Sequence, residues 1–367
     1  MKQSVLRTDE KITFQLRQLY KDWGYVQYRV GKFEEYDLYM QNKNFLASEQ
    51  ILTFSDTNGK LMALKPDITL SIIKNTKDEG DTKKLFYSEH VYRVPKNAYG
   101  FKEILQTGLE CIGEVDSLAT AEVLMLAAES LKTISERFVL DVSHVGIVSG
   151  LLEAEGLTGS AAAAVLDAVS NKNLHACERS CVHNGVSENG KALLKALITL
   201  SGEAEEVAGK LSAFDLPAQS KAALDELLQL SRDVKAYGDY PVNVDFSVVN
   251  DMDYYSGIVF KGFVEGVPAG VLSGGRYDNL MSKMGKKSGA IGFAVYLDQL
   301  ERFMTEQEDY DVDTLILYDG DSDTDTVIAA ARALRAEGRS VRIQRRSGDG
   351  IRSRVTLFAA GKEMKEV

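Results

Sequence analysis

A chain of 367 residues has room for two or three domains and one sizeable core, and 44% apolar against 26% charged residues is the composition of a soluble globular protein. No apolar run approaches the length that spans a bilayer and residues 1–7 lack the apolar centre of a signal peptide, so a cytoplasmic location without a membrane span is expected. A net charge of −11 makes nucleic acid an unfavoured partner, and three cysteines (Cys111, Cys177 and Cys181) are odd in number and fit a reducing compartment rather than a disulfide framework.

Apolar residues at Ile12, Phe14, Leu16, Leu19 and Tyr20 give a helix over 9–23 that stops at Gly24, and 25–33 alternates like a strand. Residues 51–54 and 61–64 flank Asn58-Gly59, the signal for a β-hairpin. Further strands are expected at 85–87 and 104–113, an amphipathic helix at 119–137, and a strand at 138–142 that runs on into 144–147. From 148 to 237 the texture is rich in Ala, Leu and Glu at helical spacing, a helical insertion. Strand texture returns over 242–249 and 258–272. An acidic polar stretch at 304–313 reads as a linker, and 314–318, a helix at 325–336, 341–343 and 355–358 form a β-α-β unit with a third strand. The predicted organisation is a core domain of 1–147 and 238–305, the insertion of 148–237, and a small α/β domain of 306–367.

Several residues invite a chemical reading. Asp67 and Thr69, in Lys65-Pro66-Asp67-Ile68-Thr69, point to one side of an extended segment and suit an ammonium group; a turn with an Asx cap gives the same letters. Gln106 and Glu110 share a strand face, either as paired readers of a ligand or as polar ends of a half-buried strand. His144 reads as a structural histidine at a strand end. His175, Cys177, Cys181 and His183 lack the spacing of a zinc site and read as core cysteines with flanking histidines. Gly274-Gly275-Arg276 lacks the lysine and hydroxyl of a P-loop. Arg342, Arg345, Arg346, Arg352 and Arg354 form a basic tail, a solvated face or a contact for RNA or an acidic partner.

The run Asp253-Tyr254-Tyr255-Ser256-Gly257, followed by Ser273-Gly274-Gly275-Arg276-Tyr277-Asp278, resembles the amino-acid pocket of histidyl-tRNA synthetases. Lys65 to Thr69 resembles the segment with which that family grips the α-amino group of histidine. Tyr92-Arg93 with 101–110 resembles motif 2 of the class II synthetases, and 289–300 resembles motif 3. The resemblance spans about 8 to 303. It implies an α+β fold, a class II synthetase-like antiparallel sheet flanked by helices, with a shortened anticodon-binding-like domain at the end. Carried over residue by residue, it implies a histidine-binding site of Asp67, Thr69, Arg93, Gln106, Glu110, Tyr254 and Tyr255, with no metal and no cofactor.

The departures matter as much. The family's arginines for activation and for the ATP γ-phosphate fall on Asn250 and Gln299, and the glutamate that supports adenine falls on Pro95. An amide does not replace a guanidinium against triphosphate charge. Gly31 stands where motif 1, which builds the dimer interface, has a proline. A histidine pocket without activation chemistry resembles the regulatory subunits of ATP phosphoribosyltransferase. That resemblance implies a chain without catalysis of its own, acting in histidine biosynthesis as a homodimer within a hetero-oligomer. Its partner would be a short-form catalytic subunit and its effector L-histidine. The alternatives are an active histidyl-tRNA synthetase and a stand-alone histidine-sensing module.

Overall fold

The computed structural model describes residues 6–46, 50–78, 81–94, 100–249, 252, 254–303, 309–345 and 350–367. The chain divides into two compact units, 1–305 and 306–367, and the helices of 148–237 belong to the first. No helix among the described residues is long and apolar enough to cross a membrane.

A nine-stranded sheet organises the first unit, in the spatial order Val26–Gln27, Lys83–Arg93, Lys102–Gly113, Gly289–Tyr296, Leu272–Arg276, Ile258–Val264, Phe138–His144, Val242–Asp245 and Ser201–Gly202. Its centre is antiparallel; the Val26–Gln27 and Val242–Asp245 strands join by parallel pairing. Side chains alternate between the faces of such a sheet, and the two faces are covered differently.

On one face Phe86, Leu109 and Cys111 are buried beneath the helices Thr8–Asp22 and Ser117–Ile134. Ile12, Leu16 and Tyr20 recur every four residues along the first helix and form its buried stripe. That helix ends as its glycine requires: Gly24 has φ +81°, and the Tyr25 N–H donates back to the Tyr20 carbonyl at 3.0 Å. Asp116 caps the second helix, accepting from Ala119 N at 2.8 Å. Helices from Val145–Ala154 to Ala218–Tyr237 extend this same core.

The opposite face carries a smaller cluster of Tyr87, Val91, Ile104, Ile112 and Tyr277, with Tyr39, Ile68 and Ile72 packed over it. A three-stranded sheet, Phe33–Glu35, Leu61–Leu64 and Thr53–Ser55, lies on this side, and its hairpin turns at Gly59 with φ +83° as the Asn-Gly pair requires. Lys65 is fully buried beneath it, donating to Val30 O at 3.2 Å and to Glu89 Oε2 at 3.0 Å.

Five expectations need correction. The strand expected to run on through 144–147 ends at His144, where the helix Val145–Ala154 begins. The strand expected over 25–33 is broken: Val26–Gln27 pairs at the sheet edge, and the next strand begins at Phe33 in the other sheet. Between them Val30 is held by side chains, donating its N–H to Glu89 and accepting from Lys65, instead of by a ladder. The strand expected over 242–249 ends at Asp245, whose carboxylate accepts from Ser247 N at 2.9 Å and starts a helical turn over Phe246–Val248. The stretch 258–272 is not one strand: Ile258–Val264 and Leu272–Arg276 pair antiparallel. Lys65 to Thr69 is not extended either: Thr69 opens the helix Thr69–Asn75 and Ile68 is already in a helical conformation.

In the second unit, Val341–Arg345, Val312–Tyr318 and Ser353–Ala360 form a parallel sheet, and the helix Thr324–Ala336 buries Val327 and Ala331 against Ile316 and Ala359. An unforeseen antiparallel strand, Glu363–Glu366, adds a fourth. Of the basic tail, Arg352 pairs with Asp311 at 3.1 Å and Arg354 lies over the Tyr310 ring, while Arg346 is outside the described residues.

Candidate functional site

A cavity of about 240 Å³ opens on the face carrying the smaller cluster, and Asp67, Thr69, Arg93, Gln106, Glu110, Tyr254 and Tyr255 all line it. The sheet makes this convergence possible. Gln106 and Glu110 lie four residues apart on the Lys102–Gly113 strand, so they share a face, and Glu89↔Gln106 pairing puts Arg93, four residues beyond Glu89, on that face too. Gly292 is paired with Glu110 on the neighbouring strand, and a Cβ there would strike the Glu110 carboxylate, so only glycine leaves room for it.

Glu110 is the centre of the site. It is 2% exposed, accepts from Thr69 Oγ1 at 2.8 Å and accepts a short hydrogen bond from the Tyr277 hydroxyl. Burial pushes its carboxyl up to about 8, opposed by these two donors and reinforced by the nearby charge of Asp67. Asp67 is raised for the same first reason, burial, although it accepts from Leu70 N at 2.9 Å and feels the positive charge of Arg93. The Asx-cap reading of Asp67 is therefore correct as local structure, and the cap sits in the cavity wall. One carboxylate both fixes the helix start and faces the cavity.

Aromatic rings build the remaining wall. Tyr254 lies 4.7 Å from Tyr255, 5.9 Å from Tyr277 and 6.1 Å from Phe45, centroid to centroid. Gly275 lets the Tyr255 ring lie against its strand: a Cβ there would be 2.7 Å from Tyr255 Cδ1. Burial raises the phenols of Tyr87, Tyr254 and Tyr277 well above their ordinary value, so they act as neutral hydrogen-bonding groups. The arrangement suits a small zwitterion with a polar ring. Asp67, Thr69 and Glu110 can take up an ammonium, Arg93 a carboxylate, and Gln106 with the tyrosines a heterocycle.

Tyr277 escaped the sequence reading although it stands inside the Gly-Gly-Arg-Tyr-Asp run. Its part follows from its position at the end of the Leu272–Arg276 strand, where Tyr277 N donates to Ala290 O at 2.8 Å and aims the ring inward. Arg276 takes no place in the cavity lining and pairs with Asp278 at 2.8 Å. Gln299 donates to the neighbouring Asp298 carboxylate at 3.2 Å, while Asn250 and Pro95 lie outside the described residues.

His144, Cys177 and Cys181 have local structural contacts. His144 caps the Val145–Ala154 helix, its Nδ1 accepting from Gly146 N at 3.0 Å, and its Nε2 lies 3.4 Å from Glu226. Cys177 and Cys181 are buried with their sulfurs 3.9 Å apart, while His175 and His183 are exposed on the same helix. Burial pushes the Cys177 thiol up to about 12, a value unsuited to a nucleophile or metal ligand.

Comparison with known proteins agrees with this architecture. The model of the family described as histidyl-tRNA synthetase matches residues 3–300. An ATP phosphoribosyltransferase regulatory subunit from Clostridium botulinum is 30% identical over 322 residues, covering 83% of this chain and 75% of its own. A solved structure from Bacillus halodurans, described as an ATP phosphoribosyltransferase regulatory subunit/histidyl-tRNA synthetase, superposes with a TM-score of 0.74 at 27% identity, covering 96% and 94% of the two chains. A chain of an ATP phosphoribosyl transferase complex from Thermotoga maritima has the same fold, with a TM-score of 0.61 at 19% identity over 79% of this chain and 97% of that one. With this fold and these relatives, the chain belongs to the histidyl-tRNA synthetase family and, within it, to the ATP phosphoribosyltransferase regulatory subunits.

Proposed function

We propose that this chain is a regulatory subunit without catalysis of its own, which activates a short-form ATP phosphoribosyltransferase catalytic subunit and makes it sensitive to L-histidine. The observation that carries the reading is the convergence of Asp67, Thr69, Arg93, Gln106, Glu110, Tyr254 and Tyr255 on one cavity. The names of its relatives support the regulatory part, and the Thermotoga maritima complex supports assembly with a catalytic partner. A homodimer within that hetero-oligomer is part of the proposal. The domain division at 147/148, 237/238 and 305/306 is likewise a proposal, with the helical insertion set between two halves of the core. L-Histidine in the cavity shifts the assembly because it binds one of its states better; a 10- to 100-fold preference corresponds to roughly 1–3 kcal/mol of coupling.

The test is phosphoribosyl-ATP formation by a short-form catalytic subunit, with and without this chain, across an L-histidine titration. Activation by the chain and inhibition by L-histidine are expected. Asp67→Asn keeps the helix cap but removes the charge, and Tyr254→Phe removes one hydroxyl; each weakens inhibition by about 10-fold or more. Inhibition unchanged in both variants would place the effector elsewhere. Absence of activation, together with histidine-dependent pyrophosphate exchange by the chain alone, would mean an active synthetase.

A further inference from the structure

Three polar residues outside the cavity lining, Ser256, Arg276 and Asp278, hold the segments that carry its aromatic wall. Tyr277 stands between Arg276, the last residue of the Leu272–Arg276 strand, and Asp278, the first of the helix Asp278–Lys283. Tyr254 and Tyr255 precede Ser256 and Gly257, which lead into the Ile258–Val264 strand. All three tyrosines therefore lie just beyond strand ends, where the sheet ladder no longer fixes the backbone.

Asp278 is the centre of the tie. Its Oδ1 accepts from Ala290 N at 2.9 Å, its Oδ2 accepts from Arg276 Nε at 2.8 Å, and its own N–H donates to Ser256 Oγ at 2.9 Å. Ser256 N donates to Arg276 O at 2.9 Å. These bonds join 254–257, 276–278 and the Gly289–Tyr296 strand at the point where Tyr277 turns inward and donates to Glu110. The Arg276 stem passes over Gly257, where a Cβ would stand 3.1 Å from Arg276 Cδ. The side chains of the ion pair are 27% and 34% exposed, and a pair so placed adds little to stability. What it does fix is geometry, because it spans Tyr277 and holds the residue on either side.

We propose that Ser256, Arg276 and Asp278 are positioning residues: they set where Tyr277, Tyr254 and Tyr255 stand around Glu110, and so set the affinity of the cavity without touching its ligand. A binding constellation has to be held within about 0.5 Å of its working geometry by the residues behind it. The Tyr277 hydroxyl is one of two donors that oppose the effect of burial on Glu110, so a displaced ring leaves that carboxyl harder to ionise. The affinity in question is that for L-histidine, and this part rests on the function proposed for the cavity; the placement of the rings does not.

Two mild variants of the full chain test this. Asp278→Asn keeps an acceptor for Ala290 N and removes the charge that Arg276 pairs with, and Ser256→Ala removes the acceptor of Asp278 N. Carbon NMR of labelled glutamate side chains follows the Glu110 titration, with Glu110→Gln assigning the signal, and calorimetry follows L-histidine. In both variants Glu110 is expected to titrate above its value of about 8, and L-histidine binding to weaken about 10-fold or more, with Tm little changed. Arg276→Met weakens binding similarly, and Arg276→Lys, which keeps a cation beside Asp278, recovers most of the loss. The proposal is overturned if titration and binding are unchanged in both variants, or if binding falls only as far as Tm does. A wild-type chain that binds no L-histidine sinks the function proposed for the cavity; the Glu110 titration then decides this inference alone, upheld if raised in the variants and overturned if not.

Discussion

The two faces of the nine-stranded sheet carry polar groups in opposite states: on one they close around the cavity, and on the other, under the helix Thr8–Asp22, some stay unpaired. On the first, the Glu110 carboxylate is closed by Thr69 and Tyr277, and Asp67 is closed by Leu70 N. On the second, Asp9, Thr13, Arg17 and Asp298 each keep an unpaired atom. A network satisfied within the protein holds its geometry and is pre-organised for a ligand. Arg93 stands between the two faces electrostatically, its charge lowering the carboxyls of both Asp67 and Asp298 against the burial that raises them.

The largest effect expected comes from the ion pair beneath the cavity. Lys65 is fully buried and pairs with Glu89 at 3.0 Å, tying down the segment that leads to Asp67 and Thr69. Lys65→Met leaves the Glu89 charge without its cation and is expected to cost about 3–5 kcal/mol in urea unfolding, whereas Lys65→Met with Glu89→Leu recovers most of it. If Lys65→Met alone is neutral, the first face is not the closed network described above.

A pH dependence comes next. Glu110 is pushed up to about 8 by burial, above an ordinary unfolded glutamate. Its contribution to stability is therefore fully present below the unfolded value and is lost as pH rises through about 8. A ligand ammonium beside it favours the carboxylate and expels the proton. L-Histidine affinity should thus rise between about pH 6.5 and 8, with proton release visible by calorimetry in buffers of different ionisation enthalpy. Glu110→Gln weakens binding and flattens this slope; a slope unchanged in that variant would assign the proton to another group.

The smallest effect is the sharpest comparison, because the same substitution is made on both faces. Thr69→Val breaks a hydrogen bond to a buried carboxylate and should cost about 1–2 kcal/mol. Thr13→Val removes a hydroxyl that has no partner, and the protein should be unchanged or more stable by up to about 1 kcal/mol in thermal unfolding. Equal losses in the two variants would mean that the two faces do not differ in the way described.

Local pattern carried much of this protein. The stripe of Ile12, Leu16 and Tyr20 at a spacing of four, the turn at Asn58-Gly59 and the spacing of Gln106 and Glu110 are written in neighbouring letters, because helices and strands repeat over a few residues. The residues resembling the synthetase pocket were legible for the same reason, as short runs in a particular order. Tertiary structure decided what those letters meet. Tyr277 reaches Glu110 across 167 positions of sequence, and Lys65 ends a broken strand by bracketing Val30 across 35. Packing brings Asp9, Thr13 and Arg17 of the helix Thr8–Asp22 to Asp298 from the far end of the first unit. Strand register and helix packing set those meetings, and whether a buried polar atom finds a partner is a property of the assembled fold, not of any local run of residues.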